Sequence, residues 1–273
     1  MVKIACIVVV FYTQACFAQK NLFMEAEQRL SDLSERVYSA PNDTLKLQAN
    51  AALIDELYQL ISHKKSLRYS FTKLDHISIL QPKDKSFRLI TWALQYDNQL
   101  VQYFGFIHYY DRKQRAQVVR RLRDRSHAQK NVEIKTFTTD NWFGALYYKL
   151  IENEHNDRKY YTLLAWDGND AKTNKKIIDV LWFDNKKTPL FGAPLFVSKS
   201  GIKNRYVMEF NELASVTLEY KAKSGIILFD DLQPVDGEST RIKSAIVPTL
   251  NYNGFMFKKG KWNFLERLEP TEL

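Results

Sequence analysis

YYKLI (147–151), KYYTLLAWDGND (159–170), IIDVLWFD (177–184) and PLFGAPLF (189–196) follow one another with only short polar breaks between them. Apolar runs of this length, separated by Asp, Asn, Gly, Lys and Pro, are the pattern of antiparallel strands joined by turns. Within IIDVLWFD the side chains of Ile178, Val180 and Trp182 share one face. The same alternation recurs on both sides of this stretch. FRLITWALQY (87–96) and LVQYFGFIHYY (100–110) read as a hairpin turning at Asp97-Asn98, two residues that tolerate left-handed backbone. Residues 76–80 add a strand before Pro82. Downstream, 205–210, 215–221, 226–232, 254–258 and 261–265 are further strands, and 233–251 reads as a long loop.

The beginning of the chain follows a different period. Leu22, Ala26, Leu30, Leu33 and Val37 recur every three or four residues over 20–38, which predicts an amphipathic helix. Ser39-Ala40-Pro41-Asn42 breaks it. A second helix is expected from Asp43 or Thr44 to about His63, burying Leu45, Ala49, Ala52, Leu53, Leu57, Leu60 and Ile61. The fold class is therefore α+β, mainly β. An N-terminal helical hairpin (19–65) is followed by an antiparallel region (66–273) of roughly ten strands, in one domain. The strand pattern leaves open a curled sheet, a partly closed barrel or a sandwich.

Met1-Val2-Lys3, an apolar run from Ile4 to Tyr12 and the small-residue end Cys16-Phe17-Ala18 have the anatomy of a secretory leader. Cleavage is expected after Ala18, making 1–18 the signal peptide. The apolar run falls short of the roughly 20 residues needed to span a bilayer. Export to the periplasm or cell surface follows, with lipid attachment at Cys16 as the alternative. Cys6 and Cys16 are the two cysteines. A chain cut after Ala18 carries no disulfide, thiol nucleophile or thiolate metal ligand, but at about 255 residues it can bury a core without them.

The formal charge is +9 over 273 residues, and aromatic residues are 14% of the chain. A basic exported surface suits anionic glycans or other envelope components, whereas export removes nucleic acid as a partner. DRKQRAQVVRRLRDRSHAQK (111–130) concentrates that charge. On a strand Arg121, Arg123 and Arg125 share one face, either as an anion contact or as solvated charge guarding a sheet edge.

No catalytic signature is present: neither a G-x-S-x-G, an H-E-x-x-H, a phosphate-binding glycine loop nor a dinucleotide fingerprint. The five histidines lie without metal-ligand spacing, so no metal or cofactor is expected. Asp167-Gly168-Asn169-Asp170 fails as a calcium loop, because Lys172 stands where the sharp turn needs glycine and Ile178 where a glutamate is needed. The weak candidates for ligand contact are Trp166, Asp167, Asp170 and Asp230, near strand ends, with Arg121 and Arg123. Asp167, Asp170, Asp179 and Asp230 could form a glycosidase pair if two met across a cleft. The leading expectation is a non-enzymatic binding or scaffold protein. The alternative is a hydrolase of glycan or cell-wall material, and a third reading has the N-terminal helices dock a partner in envelope assembly.

WFGALYYKLIENEHNDRKYYTLLAWDGNDAKTNKKIIDVLWFD (142–184), PLFGAPLF (189–196), GIILFDDLQP (225–234) and NGFMFKKGKWNF (253–264) resemble a family of uncharacterised exported proteins from Bacteroidetes-type bacteria. The resemblance spans about residues 85–265, with Trp166-Asp167-Gly168-Asn169-Asp170 its most specific piece, and Ala18-Gln19 suits that group's cleavage site. It implies export and a shared fold, and no activity.

Overall fold

The computed structural model describes residues 22–111, 113–235 and 239–269. The expected leader and Cys16 lie outside these residues. Two helices are followed by strands arranged in three sheets that are not closed into a barrel. Helix α1 covers residues 22–39 and α2 covers Asp43–Ser62. Sixteen strands are present among the described residues. The first sheet holds β1 (Ser78–Leu80), β2 (Phe87–Gln95), β3 (Val101–Asp111) and β4 (Ala116–Arg123), in that order. The middle sheet runs β5 (Phe137–Thr138), β9 (Pro189–Phe191), β8 (Thr173–Phe183), β7 (Arg158–Asp167) and β6 (Leu146–His155). One edge of β8 has two partners: β9 at Leu181–Phe183, and β12 (Tyr206–Asn211) at Thr173–Ile178. The third sheet orders β11 (Gly201–Lys203), β10 (Phe196–Ser198), β16 (Lys261–Leu268), β15 (Ile246–Lys258), β14 (Ile226–Pro234) and β13 (Leu218–Lys221). Pairing is antiparallel except between β10 and β16.

Strand period decides how these pieces stack. Along β2, Phe87 and Leu89 face the middle sheet, while Ile90, Trp92 and Leu94 face the helices. Along β7 and β8, Leu163, Ala165, Ile177 and Leu181 meet the first sheet, and Leu164, Ile178 and Val180 meet the third. Ile178, Val180 and Trp182 thus share a face, as the alternation predicts. The first and middle sheets are covered on both sides, which is why FRLITWALQ and TLLAW read as nearly unbroken apolar runs. The result is four layers: helices, first sheet, middle sheet, third sheet.

Each of the three interlayer cores contains a buried tryptophan, and its indole N–H finds an acceptor. Trp92 donates to Asn50 Oδ1 of α2 at 2.7 Å, Trp142 to the Tyr147 hydroxyl at 3.1 Å, and Trp262 to Thr162 Oγ1 at 2.9 Å. An unbonded N–H at such a site would cost about 1–3 kcal/mol.

Several local expectations are corrected. The helix break supplies the cap itself: Asn42 Oδ1, not Asp43 or Thr44, accepts from Leu45 N at 3.0 Å. Phe23 is buried in place of Leu22, and Leu45 and Ala52 point outward. In the β2–β3 hairpin the left-handed residue is Gln99, at φ 68°, not Asp97 or Asn98. The expected loop 233–251 is shorter than predicted, because β14 runs on to Pro234 and β15 starts already at Ile246. Pro248 is tolerated there since, among the described residues, β16 pairs β15 only from Tyr252 onward and this part of β15 is bonded on one side alone. Among the described residues, no helix is long and apolar enough to cross a membrane.

Candidate functional site

Asp167 is the last residue of β7 and lies opposite Lys175 of β8, so the two side chains emerge together on the face toward the first sheet. Lys175 Nζ lies 3.4 Å from Asp167 Oδ2 and donates to Asn169 Oδ1. Asp167 Oδ1 accepts from Asn169 N at 2.8 Å. Across the gap, Tyr103 of β3 accepts a hydrogen bond at its hydroxyl from Gly168 N, 2.7 Å away. Gly168 is required by this closeness, for a Cβ there would sit 2.7 Å from the Trp166 ring and 2.9 Å from Val101. The left-handed residue of this turn is Asn169, at φ 40°.

These groups line a cavity of about 90 Å³, completed by Val101, Ser126 and His127. Burial raises the pKa of Asp167, opposed by the Lys175 ammonium and the Asn169 amide. Burial also pushes the Tyr103 phenol well up, and the Asp167 charge adds to the effect. Among the described residues, Asp167 is the single carboxylate in the cavity lining.

A second, larger cavity of about 240 Å³ lies on the other, helix-facing side of the first sheet, bounded by Gln102, Tyr103, Phe104, Arg121, Leu122, Arg123, Asp124 and Arg125. Strand β4 is an edge strand. Its Leu122 points into the core, so Arg121 and Arg123 point the other way, opposite Phe106 and Phe104 of β3. Arg123 reaches Asp140 at 3.4 Å with both side chains more than half exposed, a contact worth little. Among the described residues Arg121 and Arg125 have no acidic partner. Asp124 does not supply one, because its carboxylate accepts from Tyr103 N at 3.0 Å, Ser126 N at 2.9 Å, the Ser126 hydroxyl and Gly144 N at 3.3 Å.

Of the expected contact residues, Asp167 lies beside the Tyr103 hydroxyl between the first and middle sheets, Arg121 and Arg123 lie on the opposite, helix-facing side of the first sheet, and the other three lie elsewhere. Trp166 is half-buried and packs over Gly168. Asp170 closes the β7–β8 turn, accepting from Lys172 N at 2.8 Å and Thr173 N at 3.0 Å. Asp230 belongs to the third sheet and accepts from Thr217 N at 2.6 Å. Asp179 is wholly buried between the first and middle sheets, paired with Arg205 at 3.1 Å and bonded to the Tyr147 hydroxyl at 3.0 Å. Tyr103, Lys175 and His127 were not singled out from the sequence. Lys175 sits in a run of polar strand residues, and only the β7–β8 register places it on Asp167.

Among the described residues no group of three or more His, Asp or Glu side chains is placed to hold a metal ion. Comparison of the chain with models of known families, with curated proteins and with solved structures returns no match in any of the three.

Proposed function

We propose that the protein is an exported, non-enzymatic binding or scaffold protein of the periplasm or cell surface, and that it holds an anionic glycan of the envelope at the arginine-lined end of β4. The observation that carries this reading is the cavity beside Arg121, Arg123 and Arg125, where two of the three guanidiniums lack an acidic partner among the described residues. Guanidinium offers a fork of donors suited to carboxylate or sulfate oxygens. The leader-like N-terminus, the net charge of +9 and the resemblance to exported proteins support the compartment. A hydrolase working through paired carboxylates has less support, because Asp167 has no carboxylate partner in its cavity and Asp124 is occupied by four donors.

Titration of the protein with a sulfated or carboxylated polysaccharide at rising salt tests the reading. Binding is expected to weaken with ionic strength, and reversing the charge of Arg121, Arg123 and Arg125 together to Glu should cost about tenfold or more at low salt. Undiminished binding by the triple variant would refute it. Mass spectrometry of the mature N-terminus tests export, with Gln19 as the expected first residue.

A further inference from the structure

We infer that the glycan lies in a groove between α2 and β4, where Tyr58 stacks on a sugar ring whose acid group Arg121 and Arg123 hold, so that the ligand is a polymer of charged pyranose rings. This rests on the binding role proposed above and narrows it to a ligand class. Helix α1 flanks α2 on one side, where Arg29 pairs with Glu56. Tyr58 stands two residues on, about 200° further round the helix, and so emerges on the opposite flank. Leu47, Ala51 and Ile54 share that flank, at helical spacing. The flank overlooks β4, whose Gln117 donates to the Lys64 carbonyl, just past the end of α2, at 3.1 Å. The Tyr58 ring lies 6.1 Å from that of Phe106, and Phe106 is the cross-strand partner of Arg121. A wall of apolar helix side chains therefore faces a wall of guanidiniums on one side of the first sheet.

Both walls keep capacity for a ligand. Tyr58 is 49% exposed although its neighbour Phe106 is buried, and Arg121 and Arg123 are exposed as well. Gln102 lines the same recess. Its side-chain oxygen accepts from the Tyr96 hydroxyl at 2.6 Å, which leaves its amide N–H donors for a ring hydroxyl. The cavity of about 240 Å³ is smaller than the roughly 300–1,000 Å³ pockets that enclose whole ligands, so it suits one ring of a longer chain. A pyranose ring carries C–H bonds on its faces and polar groups around its rim. The faces match the flat apolar surface of a phenol ring, and the rim reaches the donors of Gln102 and the guanidiniums. A polyphosphate chain has no such face. It would use the arginines alone and gain nothing from Tyr58.

The test titrates the full chain, by calorimetry, with oligogalacturonate, dextran sulfate and inorganic polyphosphate. Tyr58→Leu keeps an apolar side chain beside Phe106 and removes the ring face. It is expected to weaken oligogalacturonate and dextran sulfate about three- to tenfold and to leave polyphosphate unchanged, while Tyr58→Phe binds like the parent. Tyr38→Ala, at a 71% exposed tyrosine of α1, is the control and should alter none of the three. Arg121→Gln/Arg123→Gln should weaken all of them. Gln102→Ala should weaken the two sugar polymers about threefold, and it carries the test if Tyr58→Leu fails to fold. Unchanged sugar affinity in the folded Tyr58 or Gln102 variant overturns the groove and leaves the arginine surface standing. An equal loss of polyphosphate in Tyr58→Leu does the same, since the tyrosine would then act only by placing the arginines. Binding of polyphosphate alone, or of none of the three, overturns both readings.

Discussion

The Asp179–Arg205 pair has both side chains fully shielded from water. Its charges are matched by more than each other. Asp179 also accepts from Tyr147 OH and Val180 N, and Arg205 donates to the carbonyls of Val132 and Lys135 while lying over the Phe137 ring at 4.6 Å. Burying two ions is costly, and removing one leaves the other uncompensated. Arg205→Met is therefore expected to cost about 3–5 kcal/mol in urea unfolding, and adding Asp179→Leu should restore much of that loss. A double variant as unstable as the single one would show that the pair's hydrogen bonds, not its charge, hold this core. His108 is the second buried group whose charge matters. Burial lowers its pKa from 6.5 to about 4, opposed by its bond to Gln117. The folded state thus binds this proton less tightly than the unfolded chain does. The contribution is whole above pH 6.5 and is lost as the pH falls through about 4. The shift corresponds to about 3 kcal/mol, so His108→Gln should flatten the acid limb of stability against pH by roughly that amount. An unaltered limb in urea melts between neutral and acid pH would contradict the assignment.

At the scale of elements, the β2–β3 pair is a joint where backbone meets backbone closely. Gly105 of β3 sits opposite Thr91, and a Cβ there would lie 2.5 Å from the Ile90 carbonyl oxygen. Backbone cannot yield as a side chain can, so Gly105→Ala is expected to destabilise by about 2–3 kcal/mol, at the upper end of overpacking costs. A thermal melt within a degree of the parent would show that the strands separate freely at this point. Element type was legible in the sequence wherever one face or both faces of a long segment are buried, because burial imposes a period. FRLITWALQ, TLLAW and the two helices announce themselves in this way. The two- and three-residue strands β5, β9, β10 and β11 do not, since their pairing is decided by distant partners and they are too short to show a period. Turn chemistry was legible in part. Asp184 caps its own hairpin through Lys186 N and Thr188 N, as its residue type suggests, yet the left-handed position is taken by Lys187. The candidate site was the least legible feature. Asp167 stood out as a turn acid, but its setting depends on the β7–β8 register and on the packing of β3 across from it, and neither is a local property.

At the scale of the molecule, the four layers make the helices part of the core. Sequence alone allowed the helical hairpin to be a detachable docking arm. The structure turns its apolar side inward: Phe23, Leu30, Val37, Leu53, Leu57 and Ile61 pack on Ile90, Trp92, Leu94, Phe104 and Phe106 of the first sheet. Polar contacts secure the same joint. Glu27 of α1, almost wholly buried, accepts from Tyr69 OH at 2.5 Å, Lys73 N at 2.8 Å and Thr72 N, fixing the segment that leads from the helices into β1. Arg88 of β2 grips that segment from the other side through the carbonyls of Ser66, Leu67 and Tyr69. Deleting residues 22–62 would uncover five large apolar side chains on the first sheet. At about 1.5–3 kcal/mol for each, the lost burial is on the order of 10 kcal/mol, comparable with the 5–15 kcal/mol that typically separates folded from unfolded domains. The sheet region alone is therefore expected to aggregate, or to bind a hydrophobic dye strongly without a cooperative melt. A truncated protein that is soluble, melts cooperatively and excludes the dye would show instead that the helices are an appendage, and would return the docking-arm reading to the front.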